Sequence, residues 1–401
     1  IYQCDWSSDV CSSDLHTAVK ISPVYEHPIV HVLDASRSVP VAGSLLGEET
    51  KTDFAKKIKE EYQILAENHA KRQSTKDLIS IEDAIANRWK HDGVVVKPKQ
   101  LGIHTIEMPI SQLLDAIDWT PFFQTWELAG QYPAILEDEI VGSEAKKLLQ
   151  DAKSMLKDWV EHQSLSAKGV WYILPSKKMG EDVAVYRSED EARNDKDGSA
   201  AIDIFHFLRQ QRKMADGLPN FSLVDFIADD QIDYLGGFAV TTGLGLEPIV
   251  EAFEAQHDDY QSIMAKALAD RLAESFAEVL HQKVRTEFWG YATEDHLSNE
   301  DLIREKYQGI RPAPGYPACP DHTEKSTLFS LLNAPESAGI ILTESMAMLP
   351  AASVSGWYFA HPQSKYFGLG KINKDQVAHY AERKGMDMDT AEKWLSPILA
   401  Y

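Results

Sequence analysis

GVWYILPSKKMGEDVAVY, residues 169–186, sets two apolar runs on either side of a Lys-Lys-Met-Gly turn. Gly169–Leu174 and Asp182–Tyr186 therefore read as a β-hairpin, which gives the sheet antiparallel neighbours. Working outward, Tyr234–Val240 and Gly339–Met348 have strand composition, as do Ser355–Phe359 and Lys365–Ile372, the last two joined by a turn around His361-Pro362. The clearest helix runs over about Ala252–Phe288. It places Tyr260, Met264, Leu268, Leu272, Phe276 and Leu280 four residues apart, a row that must face a core. Hairpins beside long helices, without regular β-α-β alternation, predict an α+β fold with a mainly antiparallel sheet.

On the far side of that helix Asp270, Glu274 and Glu278 form a second row. Three carboxylates in line repel one another, so one reading is a solvated face. Ala269, Ala273 and Ala277 lie between the rows and admit another element closely. If that element is the loop beginning at Arg311, Glu274 lines a cleft. The loop itself, RPAPGYPACPDHTEK at 311–325, has prolines at 312, 314, 317 and 320, which forbid a helix interior or a central strand. It is a rigid, irregular segment carrying Arg311, Gly315, Tyr316, Cys319 and His322. Such a loop loses little entropy on binding and suits a ligand site, although a stiff surface connection would look the same. Asn373-Lys-Asp-Gln376 reads as an N-cap whose glutamine completes a capping box, followed by two short helices.

Among 401 residues, 40 are basic and 62 acidic, for a net charge of −22. That balance repels phosphate backbones and argues against nucleic acid, so an anionic ligand needs a locally basic site. No apolar run approaches the roughly 18–20 residues that span a bilayer. Three cysteines do not make a disulfide framework, and the cytoplasm is the expected compartment.

Residues 1–15, IYQCDWSSDVCSSDL, resemble a translated sequencing adapter and are set apart from the fold, which leaves Cys319 as the one native thiol. Ile29–Leu33 followed by Asp34-Ala35-Ser36 reads as a buried strand entering a helix, over a segment 16–46. One strand and one helix cannot make a domain, so the segment is expected to be the end of a parallel α/β domain. Charged Lys51–Arg72 carries Phe54, Ile58, Tyr62 and Leu65 at helical spacing, giving a linker over 47–75 and a second domain over 76–401.

Several chemistries are missing. No phosphate-binding glycine loop ends in Lys-Ser or Lys-Thr, and Gly243-Leu-Gly245 lacks the third glycine of a dinucleotide fingerprint. Cys319 and His322 have metal-like spacing without a second ligand pair, and no metal site is expected. In DWTPFFQTW, 118–126, four aromatics surround Asp118, which either caps a helix or meets a ligand.

HTAVKI at 16–21, DWTPFF at 118–123, AGQYPAILEDEIVG at 129–142, FEAQHDDY at 253–260, the 311–325 loop and SVSGWYFAHPQSKYF at 353–367 together resemble cobalamin-dependent methionine synthase. The resemblance spans nearly everything after residue 15. It implies the end of a cobalamin-binding domain over 16–46, a linker, and a reactivation domain that binds S-adenosylmethionine. The implied reaction is repair. Oxidised cob(II)alamin is reductively methylated by S-adenosylmethionine, with an electron from flavodoxin or an equivalent reductase. Asp118, Glu274, Arg311, Tyr366 and the backbone at Ala313 match the family's S-adenosylmethionine contacts, while loop position turns Tyr316 and His322 toward cobalamin. Acidic groups for the ligand's cations and an arginine for its carboxylate make a sensible complement. Phe367 departs from members that carry a second tyrosine there. The loop supplying the cobalt-ligating histidine, and the zinc-bearing homocysteine and folate modules, are not in this sequence. The fragment is thus expected to bind S-adenosylmethionine but not to turn over, with the cobalamin domain as its partner. The competing expectation is an interaction module that docks flavodoxin and the cobalamin domain without a small molecule.

Overall fold

The computed structural model describes residues 14–23, 25, 27–32, 35–47, 50–72, 78–292 and 297–401. They divide into two compact units, one of the described residues up to Leu78 with Ala400–Tyr401, the other Ile79–Leu399. Most of the adapter-like segment, together with Leu33, Asp34 and residues 73–77 around the expected boundary, lies outside the described residues.

In the first unit α1 (Ala35–Leu46) and α2 (Lys51–Arg72) are the main elements. The expected strand at 29–33 is not one, since residues 28–32 are irregular. No strand stands beside them among the described residues of this unit, and the His31 N–H instead donates to the Tyr62 hydroxyl at 2.8 Å. Tyr62, on the apolar stripe of α2, is buried.

The second unit is built on β2 (Ser166–Met179), the strand that opens the hairpin. Its partner β3 (Asp182–Val185) begins after Gly180-Glu181, so the lysines and Met179 belong to the strand and the turn is two residues long. β2 is long enough for two partners on one edge: β1 (Gly102–Met108) covers 167–173 and β3 covers 176–179. Pro175 sits where the first partner has ended and the second has yet to begin, a place that asks for no donor. β5 (Asp233–Leu244) takes the other edge and is followed by β8 (Ser353–Tyr358), while β4 (Asp203–His206) extends β3. Every pairing between these strands is antiparallel, as expected.

The central strands β2 and β5 are buried on both faces, which is why β2 reads as a continuous apolar run. Trp171, Ile173, Phe238, Val240 and Tyr358 face a core shared with α4 (Gly142–His162) and α6 (Asp259–Lys283). Val170, Tyr172, Leu174, Leu235, Ala239 and Trp357 face the opposite core, closed by α7 (Glu324–Leu332).

The long helix starts later than expected. Residues 252–254 end α5 (Leu246–Glu254), and α6 begins afresh under an Asp258 N-cap. Met264, Leu268, Leu272, Phe276 and Leu280 are fully buried, each contributing about 1.5–3 kcal/mol, whereas Tyr260 at the row's head is 37% exposed and donates to Asp151. Two of the small side chains admit the sheet: Ala269 and Ala273 pack on Ala352, and the Thr242 hydroxyl donates to the Ala269 carbonyl.

Two strand expectations fail. Gly339–Met348 yields only β6 (Ile341–Leu342) and β7 (Met348–Leu349), a separate small hairpin. Lys365–Ile372 forms no strand because its donors are used singly: the Leu369 N–H reaches Pro317 O, the Ile372 N–H reaches Ile398 O, and the Lys371 ammonium reaches the carbonyls of Pro397 and Leu399. Nor does the capping box form at α8 (Lys374–Lys384). Gln376 instead mimics a strand neighbour, accepting from the Arg209 N–H at 2.7 Å and donating to the Arg209 carbonyl at 3.0 Å.

Candidate functional site

Residues 310–312 dock along β8 as a fragment of an added strand. Ile310 and Phe359 exchange two backbone hydrogen bonds at 3.0 Å, and the Trp357 N–H donates to Pro312 O at 2.9 Å. Gly356 makes the approach feasible, since a Cβ there would lie 2.6 Å from Pro312 O. Beyond Pro312 the chain folds on itself, with Gly315 N–H donating to Cys319 O and Cys319 N–H donating to Tyr316 O. Gly315, at φ +92°, lies against the His322 ring so closely that a side chain at 315 would occupy the imidazole's space. The far end of the loop is clamped by α8. Lys384 Nζ donates to Asp321 at 2.7 Å and Glu324 at 2.6 Å, and the Tyr380 hydroxyl donates to Asp321 at 2.6 Å, all in a buried setting.

This frame directs Arg311 toward α6. Its Nη2 donates to Glu278 Oε2 at 2.9 Å, and its backbone N–H donates to the Tyr366 hydroxyl at 2.9 Å. Burial works against the guanidinium's charge, but Glu278 beside it holds its pKa well above the usual value. Arg311 Nε is buried with no partner among the described residues. Glu278 also serves Arg285, whose Nη1 lies 3.4 Å away and whose guanidinium covers the Tyr307 ring at 4.3 Å. Two arginines thus share one carboxylate, with Glu274 and Glu305 also close enough for their charges to be felt there. His281, buried one turn after Glu278 on α6, is held neutral by burial and by both arginines.

The expected site residues separate into groups. Arg311, Ala313 and Tyr366 stand together, joined by the Arg311–Tyr366 hydrogen bond. Glu274 is half-buried one turn before Glu278, close enough for its charge to act on Arg311, and makes no hydrogen bond or ion pair with the described residues. Asp118 accepts from the Thr120 N–H at 3.0 Å, an Asx turn one residue before Trp119, the N-cap of α3 (Thr120–Thr125), which has no side-chain cap. The segment before it is pinned to α6 by the Ser275 hydroxyl on Leu113 O, one residue past Glu274. Tyr316 is exposed, and His322 lies near Lys325, burial and that cation lowering its pKa. Lys325 is itself buried and brought down to about 8. Phe367 stacks among Phe221 and Phe226, an apolar setting suited to its lack of a hydroxyl. Glu278 was read only as the end of a carboxylate row and Arg285 and Tyr307 were not singled out from sequence, yet Glu278 and Arg285 are seven residues apart and share a helix face.

Metal chemistry gains nothing at Cys319, whose thiol is buried among apolar side chains and pushed well up by that burial. Among the described residues His91, Asp92 and His361 are grouped closely enough to hold an ion. Both imidazoles, however, accept a backbone N–H at Nδ1, from Gly93 and Gln363. Both rings therefore carry their proton on Nε2, the atom that would have to face an ion, and His361 uses it to donate to Asp92 at 2.9 Å.

Residues 109–385 match the family described as vitamin B12 dependent methionine synthase, activation domain. The chain is also similar to a solved structure of the MetH reactivation domain bound to AdoHcy, at 50% identity and a TM-score of 0.77, over 81% of this chain and 99% of that one. Among the described residues no helix is long and apolar enough to cross a membrane. With the mixed helical and antiparallel architecture in agreement, the chain belongs to the activation-domain family of vitamin B12-dependent methionine synthase.

Proposed function

We propose that this chain binds S-adenosylmethionine at the Arg311 loop and presents its methyl group for reductive methylation of cobalamin, as the reactivation module of a methionine synthase. The observation that carries this reading is the incomplete pairing of Arg311. A buried Nε–H without an acceptor, beside an acidic Glu274 without a cationic partner among the described residues, complements a ligand that bears both a carboxylate and cationic groups. Arg311 would take the carboxylate, while Glu274 and Asp118 would meet the cations or ribose hydroxyls. Tyr366 would brace the Arg311 backbone at the ligand's edge, next to Ala313.

Cobalamin, held by a neighbouring module, supplies the methyl acceptor once flavodoxin or an equivalent reductase has provided an electron. Methyl transfer from a sulfonium needs no general base, so this chain's task would be to hold the donor in line, with Tyr316 and His322 of the loop facing the acceptor. In this reading residues 16–46 are cobalamin-domain sequence, 47–75 the linker and 76–401 the reactivation domain, working in the cytoplasm. The module by itself would bind without turning over.

Calorimetric titration of the chain with S-adenosylmethionine, wild type beside Arg311→Ala, tests the reading. Binding weakened by about 1.5–3 kcal/mol in the variant is the expected result. A folded wild type that binds nothing would replace the reading with a docking module for flavodoxin and the cobalamin domain.

A further inference from the structure

Glu278 is buried on α6, one turn beyond Glu274, and is the carboxylate that touches Arg311. Its two oxygens serve different cations: Oε2 accepts from Arg311 Nη2 at 2.9 Å, and Oε1 faces Arg285 Nη1 at 3.4 Å. Arg285 is in turn fixed over the Tyr307 ring. Arg311 is consequently held at one terminal nitrogen, from a rigid helix, while its Nε–H is buried and unmatched. A guanidinium presents its donors in a fixed planar fork, so securing one corner fixes the direction of the others.

We propose that Glu278 is a positioning residue. By holding Nη2 it turns the Nε edge of Arg311 toward the ligand's carboxylate, and so makes the site selective for adenosyl ligands that carry an amino-acid group over those that lack one. Reach matters more than charge in this arrangement, because Glu278 never touches the ligand and acts only through the corner it holds. The inference rests on the reading that Arg311 receives a carboxylate.

Two variants separate reach from charge: Glu278→Asp keeps the charge and shortens the arm, whereas Glu278→Gln keeps the arm and a carbonyl acceptor. The whole chain is titrated with S-adenosylhomocysteine and with 5′-methylthioadenosine, which has the adenosyl and thioether groups but no amino-acid end. Glu278→Asp is expected to weaken S-adenosylhomocysteine about 10-fold, the size of one charge-assisted hydrogen bond, and to leave 5′-methylthioadenosine within about twofold. Glu278→Gln is expected to stay within about threefold for both ligands. On an Arg311→Ala background, Glu278→Asp should have no further effect. Equal losses for the two ligands, equal behaviour of the Asp and Gln variants, or an undiminished loss without Arg311 would each overturn the proposal alone. A wild-type chain that binds neither ligand would overturn the underlying reading and the proposal together.

Discussion

Gly315 shows how little freedom the loop allows. Its φ of +92° is a conformation that L side chains rarely adopt, and the imidazole of His322 fills the space where a Cβ would go. Gly315→Ala should therefore cost about 2 kcal/mol or more of stability by urea unfolding and should also weaken S-adenosylmethionine, because His322 and the 313–319 turn must shift. Arg311 could be singled out from sequence because a lone cation among prolines is conspicuous. Glu278 could not, since a carboxylate four residues after another looks the same whether it faces water or an arginine. What separated the two cases was the partner, which lies 33 residues along the chain.

Among the elements, α8 depends on one side chain that stands in for a strand edge. Gln376 satisfies both backbone groups of Arg209, and both partners are buried. Gln376→Ala leaves a donor and an acceptor without partners, and a loss of about 2–4 kcal/mol in unfolding free energy is expected. The same element shows where sequence patterning stops being informative. The 169–186 hairpin, β5, β8 and the buried row of α6 were legible because apolar periodicity and turn chemistry are local properties. The capping box at 373–376 looked local, but a partner from the 207–212 segment outcompeted it. Residues 365–372 had strand composition without a sheet edge to join, and 29–32 likewise lacked a strand neighbour among the described residues. The edge strands β1 and β4 were missed because short half-exposed segments lack a strong apolar signal.

On the scale of the whole molecule, four histidines among the described residues have a proton affinity that burial lowers: His91, His206, His281 and His322. A histidine held neutral in the fold but free to protonate when unfolded gives stability that is lost as pH falls below its unfolded value near 6.5, at up to about 1.4 kcal/mol per pH unit for each residue. Asp233 opposes this trend. Burial raises its carboxyl to about 6, so the fold gains from its protonation as pH falls from there toward the ordinary carboxylate range. Unfolding free energy should therefore decline between pH 6.5 and 5, less steeply than four histidines alone would require. Replacing His281 by Phe, which keeps a ring to stack on Tyr358, should flatten the slope by up to about 1.4 kcal/mol per pH unit. Denaturant titrations at a series of pH values check both, and an unchanged slope in the variant would count against a neutral His281. The clamp of Lys384 and Tyr380 on Asp321 and Glu324 has a consequence in time as well as in space. During synthesis the loop emerges well before the helix that fastens it, so a ribosome paused between residues 325 and 380 holds a nascent chain whose loop is unfastened. Competence to recognise a ligand would then be acquired late and abruptly, when the last helices dock.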